Sequence, residues 1–385
     1  MARETVIANA RVVTPQQVFT GAVQLRDGLI ADVSEGARVP PGALDCDGDY
    51  LIPGLVELHT DNLERHLHPR PGVDWPRRAA VAAHDGEFAS VGVTTLLDAL
   101  RVGSENGGHL GDYAAEAAEA VAALSALGLL RAEHHVHIRC ELTSPNLIAE
   151  YDRIGDDPRV RLISLMDHTP GQRQFVNLDA WAAYYTETRG YDAAQMAAFI
   201  ASAQAAQSVH VAANRAALLS RAAARGLRLA SHDDATPAHV AESVAAGARI
   251  AEFPTTRDAA RAARAAGQKI VMGAPNLLRG GSHAGNVSAG ELARAGLLDI
   301  LSSDYAPASL MLAAFALAED LAGEDAEAWD LPRAIACVTR TPALAVGLAD
   351  RGAVAPGLRA DLARVWHVER LCVVRGLWRA GARIL

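Results

Sequence analysis

Short apolar runs rich in β-branched residues recur through the middle of the chain, and alanine-rich segments with helical periodicity separate most of them. There are eight such runs, and their length is typical of buried strands. Eight strands that alternate with helices predict an α/β fold, namely a (β/α)8 TIM-like barrel whose chemistry lies at the C-terminal ends of the strands. The runs cover residues 51–58, 93–99, 135–141, 160–167, 227–231, 248–253, 269–274 and 298–303.

Both ends of the chain have a different pattern, with short alternating segments and tight turns such as Asp27-Gly28. Alternation of this kind around a turn predicts β-hairpins. We therefore predict a small β-sandwich domain made from both termini, residues 1–52 and 346–385, around a barrel of residues 53–345. The segment 169–200 is long for a connection, so we interpret it as an active-site loop or lid.

Composition limits the class of protein. The chain has 385 residues, half of them hydrophobic, which is enough for a barrel with an accessory domain. Its net charge is −9 and its pI is near 5.9, which argues against nucleic acid as a partner. The sequence lacks an apolar run of about 18 residues, so no membrane span is expected. An N-terminus that reads as a strand favours the cytoplasm. A homo-oligomer is compatible with this sequence, which does not determine the oligomeric state.

Side chains that bind divalent metals stand near the ends of most predicted strands. The first strand ends in His59-x-Asp61, and a spacing of two places both side chains on the same side of a strand. A single histidine there would be an ordinary core residue, but the joint occurrence favours a site for Zn²⁺, Mn²⁺ or Fe²⁺. His134, His135 and His137 stand at the start of their strand, the opposite end, and are not predicted ligands. The other strand-end residues are Asp98, Glu141, Asp167, His168, His232, Asp233, Asp234, Glu252 and Asp304.

Hydrogen-bond donors cluster after the seventh predicted strand, ahead of a helix predicted from Ser288. A flexible backbone, an arginine and a helix N-terminus form an anion site, although an ordinary glycine turn is the alternative. More arginines, including Arg101 and Arg173, stand in loops at the same face, which suggests a small anionic substrate. The clustered residues are Arg279, Gly280, Gly281, Ser282, His283 and Asn286.

The segments "IPGLVELHTD", "GVTTLLDAL" and "LSSDYAP", flanked by a split β domain, resemble the amidohydrolase superfamily. Within it, "PGLVELHTDNLERHLHPRPGV", "HVHIRCEL", "LISLMDHTPGQRQF", "LASHDDAT", "GAPNLLRGGSHAGNVSA" and "SDYAPASL" look closely like diphosphatases of the carbon–phosphorus lyase pathway. Those enzymes release pyrophosphate from a ribose 5-triphosphate during phosphonate catabolism. The resemblance extends over essentially the whole chain.

The resemblance implies one or two divalent metal ions, with a carboxylate that bridges them. Lys269, the only lysine, stands at the start of the seventh strand, so Glu141 fits the bridge better than a carboxylated lysine. Asp304 would be the general base, while Arg173, Arg279 and the donors after the seventh strand would bind the triphosphate. Glu252 is left outside the set. The implied ligands are His59, Asp61, Glu141, His168, His232 and Asp304.

Two other functions remain open at this point. A hydrolase of cyclic or N-acyl amides would use the same metal chemistry on carbon, but it would not need several arginines at the mouth. A binding protein that had kept only the barrel would be expected to lack the full set of candidate ligands.

Overall fold

The computed structural model describes residues 4–103, 113–171, 173, 191–282, 285–323 and 328–385. The strands within these ranges are β1 Glu4–Val13, β2 Val18–Arg26, β3 Leu29–Glu35, β4 Leu44–Asp45, β5 Tyr50–Pro53, β6 Leu55–Thr60, β7 Val93–Val102, β8 Glu133–Glu141, β9 Val160–Met166, β10 Arg228–His232, β11 Ile250–Glu252, β12 Lys269–Gly273, β13 Ile300–Ser302, β14 Leu362–Val368, β15 Leu371–Arg379 and β16 Ala382–Arg383. The helices are Asn62–Leu67, Arg77–Ser90, Tyr113–Ala126, Leu147–Tyr151, Ala193–Arg225, Pro237–Ala245, Arg257–Ala265, Ala274–Arg279, Ala289–Arg294, Ser309–Asp320, Leu331–Ala336 and Arg340–Ala345.

The predicted barrel is confirmed. Strands β6 to β13 form one eight-stranded sheet in which sequence order is also spatial order, and their pairings are parallel. An isolated parallel bridge between Thr60 and Asp304 joins the first strand to the segment after the last one. The C-terminal ends of all eight strands therefore meet at one face.

The interior of the barrel is divided into an apolar layer and a polar layer. Buried aliphatic side chains from most strands pack together in the apolar layer, as expected for a barrel that is a packed core. Buried polar side chains follow near the C-terminal ends, among them His59, Ser164, His232 and Glu252. The apolar layer includes Val56, Leu58, Leu97, Leu162, Ala230, Ile250, Val271 and Ile300.

The two termini build a second sheet, in the order β16-β15-β14-β5-β1-β2-β3 with β4 beside β1. Most of its pairings are antiparallel, whereas β1 pairs in parallel with β4 and β5. The β5–β14 pairing joins the N-terminal part to the C-terminal part. The predicted origin of this sheet is thus confirmed, whereas the boundaries at residues 52 and 346 stay a prediction.

The first predicted strand, residues 51–58, is two strands in the structure. β5 belongs to the terminal sheet and β6 to the barrel, with Gly54 between them. A Cβ atom at Gly54 would lie 2.3 Å from Thr94 Oγ1, so only glycine permits this close approach. The apolar run hid the break because both strands are buried.

The segment 169–200, predicted as a loop or lid, lies partly outside the described residues. Its last part belongs to the helix Ala193–Arg225. The side chains of Asp192 and Gln195 form a capping box at the start of this helix. The lid interpretation stays a prediction for the rest. None of the described helices is long and apolar enough to cross a membrane.

Candidate active site at the C-terminal end of the barrel

A cavity of about 280 Å³ opens at the C-terminal ends of the barrel strands. Nine of the predicted site residues line it, which places the predicted metal ligands beside the predicted anion loop. The nine are His59, Asp61, His168, His232, Arg279, Gly281, Ser282, Asn286 and Asp304. Asp233, Phe253 and Tyr305, which were not in the predicted set, also line the cavity.

Three groups of side chains in the described residues have the composition and proximity of a metal site. In each group, one potential ligand atom per residue lies within 4.8 Å of the others. Five of the six predicted ligands fall into these groups. The groups are His59–Asp61–Asp304, His168–His232–Asp233 and His59–His232–Glu252.

Glu252, which the sequence analysis left out, lies beneath the two histidines of the barrel interior. Its Oε1 is 3.3 Å from His59 Nδ1, and its Oε2 is 3.3 Å from His232 Nδ1 and accepts a 2.5 Å hydrogen bond from Ser164 Oγ. Burial would raise the pKa of Glu252, but His137 and the two histidines outweigh it and hold the pKa well below its usual range. A carboxylate on Nδ1 is the usual way to orient a histidine whose Nε2 binds a metal.

The opposite nitrogens of the two histidines point to the cavity carboxylates. His59 Nε2 lies 3.9 Å from Asp61 Oδ1, and His232 Nε2 lies 3.4 Å from Asp233 Oδ2. That Asp233 oxygen is buried and accepts no hydrogen bond from the described residues. Imidazole and carboxylate atoms that converge in this way, one of them unsatisfied, fit a divalent cation of the Zn²⁺, Mn²⁺ or Fe²⁺ class.

Asp304 follows β13 and lies beside Asp61. Burial and the Asp61 carboxylate raise the pKa of Asp304. Burial would also raise the pKa of Asp61, but Arg139 and His59 outweigh it and lower that pKa. Asp233 and Asp304 both have left-handed backbone, with φ of 55° and 52°. Such strain is concentrated at functional sites, where the surrounding structure maintains it.

Glu141, the predicted bridging ligand, contacts a different partner. Its Oε2 lies 2.6 Å from His168 Nδ1, and its Oε1 accepts a hydrogen bond from Thr143 Oγ1 at 2.8 Å. Glu141 is neither in the three groups nor among the cavity-lining residues. It orients His168 as Glu252 orients His59, and its role as a bridge stays a prediction.

The predicted anion loop is only partly at the cavity. Arg279 ends the helix Ala274–Arg279, and its Nη1 lies 3.5 Å from the Tyr305 hydroxyl. Gly280 is the C-terminal cap of that helix, with a φ of 77°, and it is not among the residues that line the cavity. His283 lies outside the described residues.

Arg173 is not among the residues that line the cavity. Its guanidinium forms ion pairs with Asp234 and with Glu242, the latter at 3.1 Å, and the side chain is buried. Both ion pairs hold the Arg173 guanidinium in place. Its role in substrate binding stays a prediction.

Arg139 is a cavity-lining residue that the sequence analysis missed. It lies on β8 and forms an ion pair with Asp61. It stands two residues before Glu141, so its side chain points to the same side of the strand. That spacing was the signal that could have identified it.

A second polar cluster lies outside the cavity. Asp98 Oδ1 is 2.9 Å from His84 Nε2, Asp98 Oδ2 is 2.9 Å from His134 Nδ1, and His134 Nε2 is 3.3 Å from Asp85 Oδ1. We call these four residues the outer histidine cluster. His134 and His135 do not line the cavity, and His137 is deeper in the barrel, 3.8 Å from Glu252.

Comparison with known proteins identifies the family. The scan against protein-family models found no match. The chain is 42% identical over 380 residues to the alpha-D-ribose 1-methylphosphonate 5-triphosphate diphosphatase of Escherichia coli (strain K12), covering 98% of this chain and 100% of that one.

Solved structures support the fold alone. N-acetyl-D-glucosamine-6-phosphate deacetylase from Mycobacterium smegmatis matches with a TM-score of 0.65 at 17% identity, over 99% of this chain and 100% of that one. A 5-methylcytosine deaminase from Klebsiella pneumoniae matches with a TM-score of 0.64 at 17% identity, over 99% of this chain and 97% of that one. The 42% identity to the E. coli enzyme, over nearly the full length of both chains, shows that this chain belongs to the alpha-D-ribose 1-methylphosphonate 5-triphosphate diphosphatase family.

Proposed function

We propose that this protein hydrolyses alpha-D-ribose 1-methylphosphonate 5-triphosphate to the 5-phosphate and pyrophosphate in phosphonate catabolism. The observation that carries the proposal is the cavity itself, in which imidazoles and carboxylates of metal-ligand type lie beside two arginines. A triphosphate substrate needs both the metal ligands and the arginines, whereas an amide substrate needs only the metal ligands. The full-length similarity to the E. coli diphosphatase supports the same substrate.

Two neighbouring groups in the cavity are suited to hold one or two divalent ions. We propose that His59, Asp61 and Asp304 hold one, and that His168, His232 and Asp233 hold the other. When bound, the ions would supply Lewis-acid chemistry, which activates water and neutralises phosphoryl charge. Glu252 and Glu141 would keep the histidine rings in the orientation that ligation requires.

Asp304 would act as the general base on the attacking water. It lines the cavity beside His59 and Asp61, where its carboxylate can accept a proton from a water held at the same group. The water oxygen forms a bond to the ribose-proximal phosphorus while its proton passes to Asp304. The bond from that phosphorus to the bridging oxygen breaks, and pyrophosphate leaves with the electron pair.

The leaving pyrophosphate would be held at the cavity mouth. Arg279 is exposed there, and Gly281, Ser282 and Asn286 line the same wall. An arginine fork is suited to phosphate oxygens, which it binds through parallel hydrogen bonds. Binding roles for Gly280, His283 and Arg173, a cytoplasmic location and a homo-oligomer remain predictions.

Pyrophosphate release from the ribose triphosphate by the Mn²⁺-loaded protein tests the proposal, beside a panel of dihydroorotate, hydantoin and N-acyl amides. We expect release from the triphosphate and none of the amide reactions. In ¹⁸O-labelled water, the label should enter the ribosyl 5-phosphate, because the ribose-proximal phosphorus is attacked. Amide hydrolysis without pyrophosphate release would instead support the cyclic-amide or N-acyl amide reaction.

A further inference from the structure

Arg139 lies deep in the cavity, beside the proposed metal ligands. It is on β8, and its side chain is only 11% exposed. The cavity has a second arginine, Arg279, which is exposed at the mouth. Two arginines at different depths provide two separate positions for negative charge along the path of a bound triphosphate.

The Arg139 guanidinium is held between carboxylates. Nη1 donates to Asp61 Oδ1, and Glu64 is a second negative neighbour that raises the pKa of Arg139 together with Asp61 and against the effect of burial. Glu64 is itself fixed by a 2.7 Å hydrogen bond from the Tyr113 hydroxyl. This arrangement fixes the position of a full positive charge beside Asp61.

The guanidinium still has capacity for a ligand. Its Nε is buried and has no hydrogen-bond partner among the described residues. A buried donor left without an acceptor destabilises the fold, so such atoms are usually partnered by water or a ligand. The cavity also contains three carboxylates, Asp61, Asp233 and Asp304, which would repel a triphosphate without a nearby cation.

We propose that Arg139 binds the ribose-proximal phosphoryl group, the one that water attacks, while Arg279 binds the pyrophosphate end. This assignment rests on the proposed function and gives the two arginines different parts of the triphosphate to bind. Asp61 holds the guanidinium in place, and the guanidinium neutralises the charge that develops on the phosphoryl oxygens during attack. Such a preorganised donor typically contributes about 100-fold to kcat.

Ribose 5-phosphate, which shares the 5-phosphoryl group of one product, and pyrophosphate, the other product, separate the roles of the two arginines. Titration calorimetry on the Mn²⁺-loaded protein measures the affinity for ribose 5-phosphate and for pyrophosphate in Arg139→Met, Arg279→Met and wild type. We expect Arg139→Met to weaken ribose 5-phosphate by about tenfold or more and pyrophosphate by less than about threefold. Arg279→Met should show the reverse. Arg65→Met is the matched control, because Arg65 pairs with Glu87 and does not line the cavity.

Metal content distinguishes ligand binding from a structural role. If Arg139 acted only by positioning Asp61, Arg139→Met would lose bound Mn²⁺ and weaken both fragments together, and this result would overturn the proposal. Unchanged ribose 5-phosphate affinity would overturn it as well. If Arg139→Met does not fold, Arg139→Lys decides, since one ammonium cannot replace the fork and ribose 5-phosphate should still bind severalfold more weakly. Wild-type affinity in that variant would contradict the assignment.

Pyrophosphate release by the wild type tests the proposed function separately. A wild type that hydrolyses the triphosphate, combined with Arg139→Met that binds ribose 5-phosphate normally, would refute the arginine assignment alone.

Discussion

Replacement of Glu252 with glutamine should weaken metal binding without removing a proposed ligand. With Nε2 of His59 and of His232 directed to an ion, Nδ1 of each ring carries a hydrogen. A carboxylate accepts both hydrogens, as the two 3.3 Å contacts of Glu252 allow. A carboxamide accepts through its oxygen only, and its NH₂ group faces the other donor. One ring must therefore turn or change tautomer, which removes its Nε2 as a ligand.

The expected loss of metal affinity depends on how many histidine rings are affected. Loss of one partner that orients a metal-binding histidine typically lowers metal affinity by about 10- to 100-fold. That range corresponds to about 1.4 to 2.7 kcal/mol in binding free energy. Competition with a chromogenic chelator measures it directly, at a pH held constant between wild type and Glu252→Gln.

Asp98→Asn is a matched control, because Asp98 also lies between two histidines, at 2.9 Å from each, but belongs to the outer histidine cluster. It should lower the free energy of unfolding and leave metal affinity unchanged. Metal affinity of Glu252→Gln within threefold of wild type would refute the reasoning. A loss far beyond about 100-fold would refute it too, since it would indicate that Glu252 binds the metal directly.

Three further predictions concern the proposed general base, the arginine at the cavity mouth and the outer histidine cluster. Asp304→Asn keeps a carbonyl oxygen that can still ligate an ion but loses the carboxylate that accepts a proton, so metal content should be retained while kcat falls by about 10²- to 10⁴-fold, and near-wild-type turnover would exclude a general base at this position. Arg279→Ala should weaken binding of the ribose triphosphate by about tenfold, but that of a ribose monophosphate much less, as inhibition constants would show. Burial would lower the pKa of His134, yet Asp98 and Asp85 raise it to about 9, so its stabilising effect is complete below about pH 6.5 and is lost as pH rises through 9. Urea denaturation of the wild type should therefore show a decline in unfolding free energy across that interval, by up to about 3 kcal/mol, which His134→Gln lacks.

The positions of the apolar runs, and the residues at their ends, predict most of the fold and of the candidate site. All eight barrel strands were expected from the apolar runs, and the ends of those strands indicated His59, Asp61, His232 and Asp304. The strand prediction is confirmed, and the four side chains line one cavity because the barrel brings the ends of all its strands to one face; their roles as ligands stay predictions. The division of residues 51–58 into two strands was missed, because the contact that requires Gly54 is with Thr94, on another strand.

The role of Glu252 could not be predicted, because it depends on a pairing with His59 across 193 positions of the chain. The partners of Arg173 illustrate the same limit. An arginine in a loop at the cavity face suggested substrate binding, and the structure adds its ion pairs with Asp234 and Glu242, which the sequence does not indicate. A sequence pattern indicates which charges are near one end of the barrel, whereas only the side-chain packing determines which of them are already paired.

The junction between the first and last barrel segments can form only after residue 304 has been synthesised. Thr60 Oγ1 donates to the Asp304 carbonyl at 2.8 Å, Asp61 N donates to the same oxygen at 3.0 Å, and Asp304 N donates to the His59 carbonyl at 3.2 Å. Thr60 and Asp304 are 244 positions apart, so a ribosome-bound chain holds His59 and Asp61 long before their third partner exists. A nascent or truncated chain that ends before residue 304 therefore lacks one member of the proposed group His59–Asp61–Asp304, whereas His168, His232 and Asp233 are already present. Retention of the ion proposed for the first group can accordingly serve as a test that the barrel has closed.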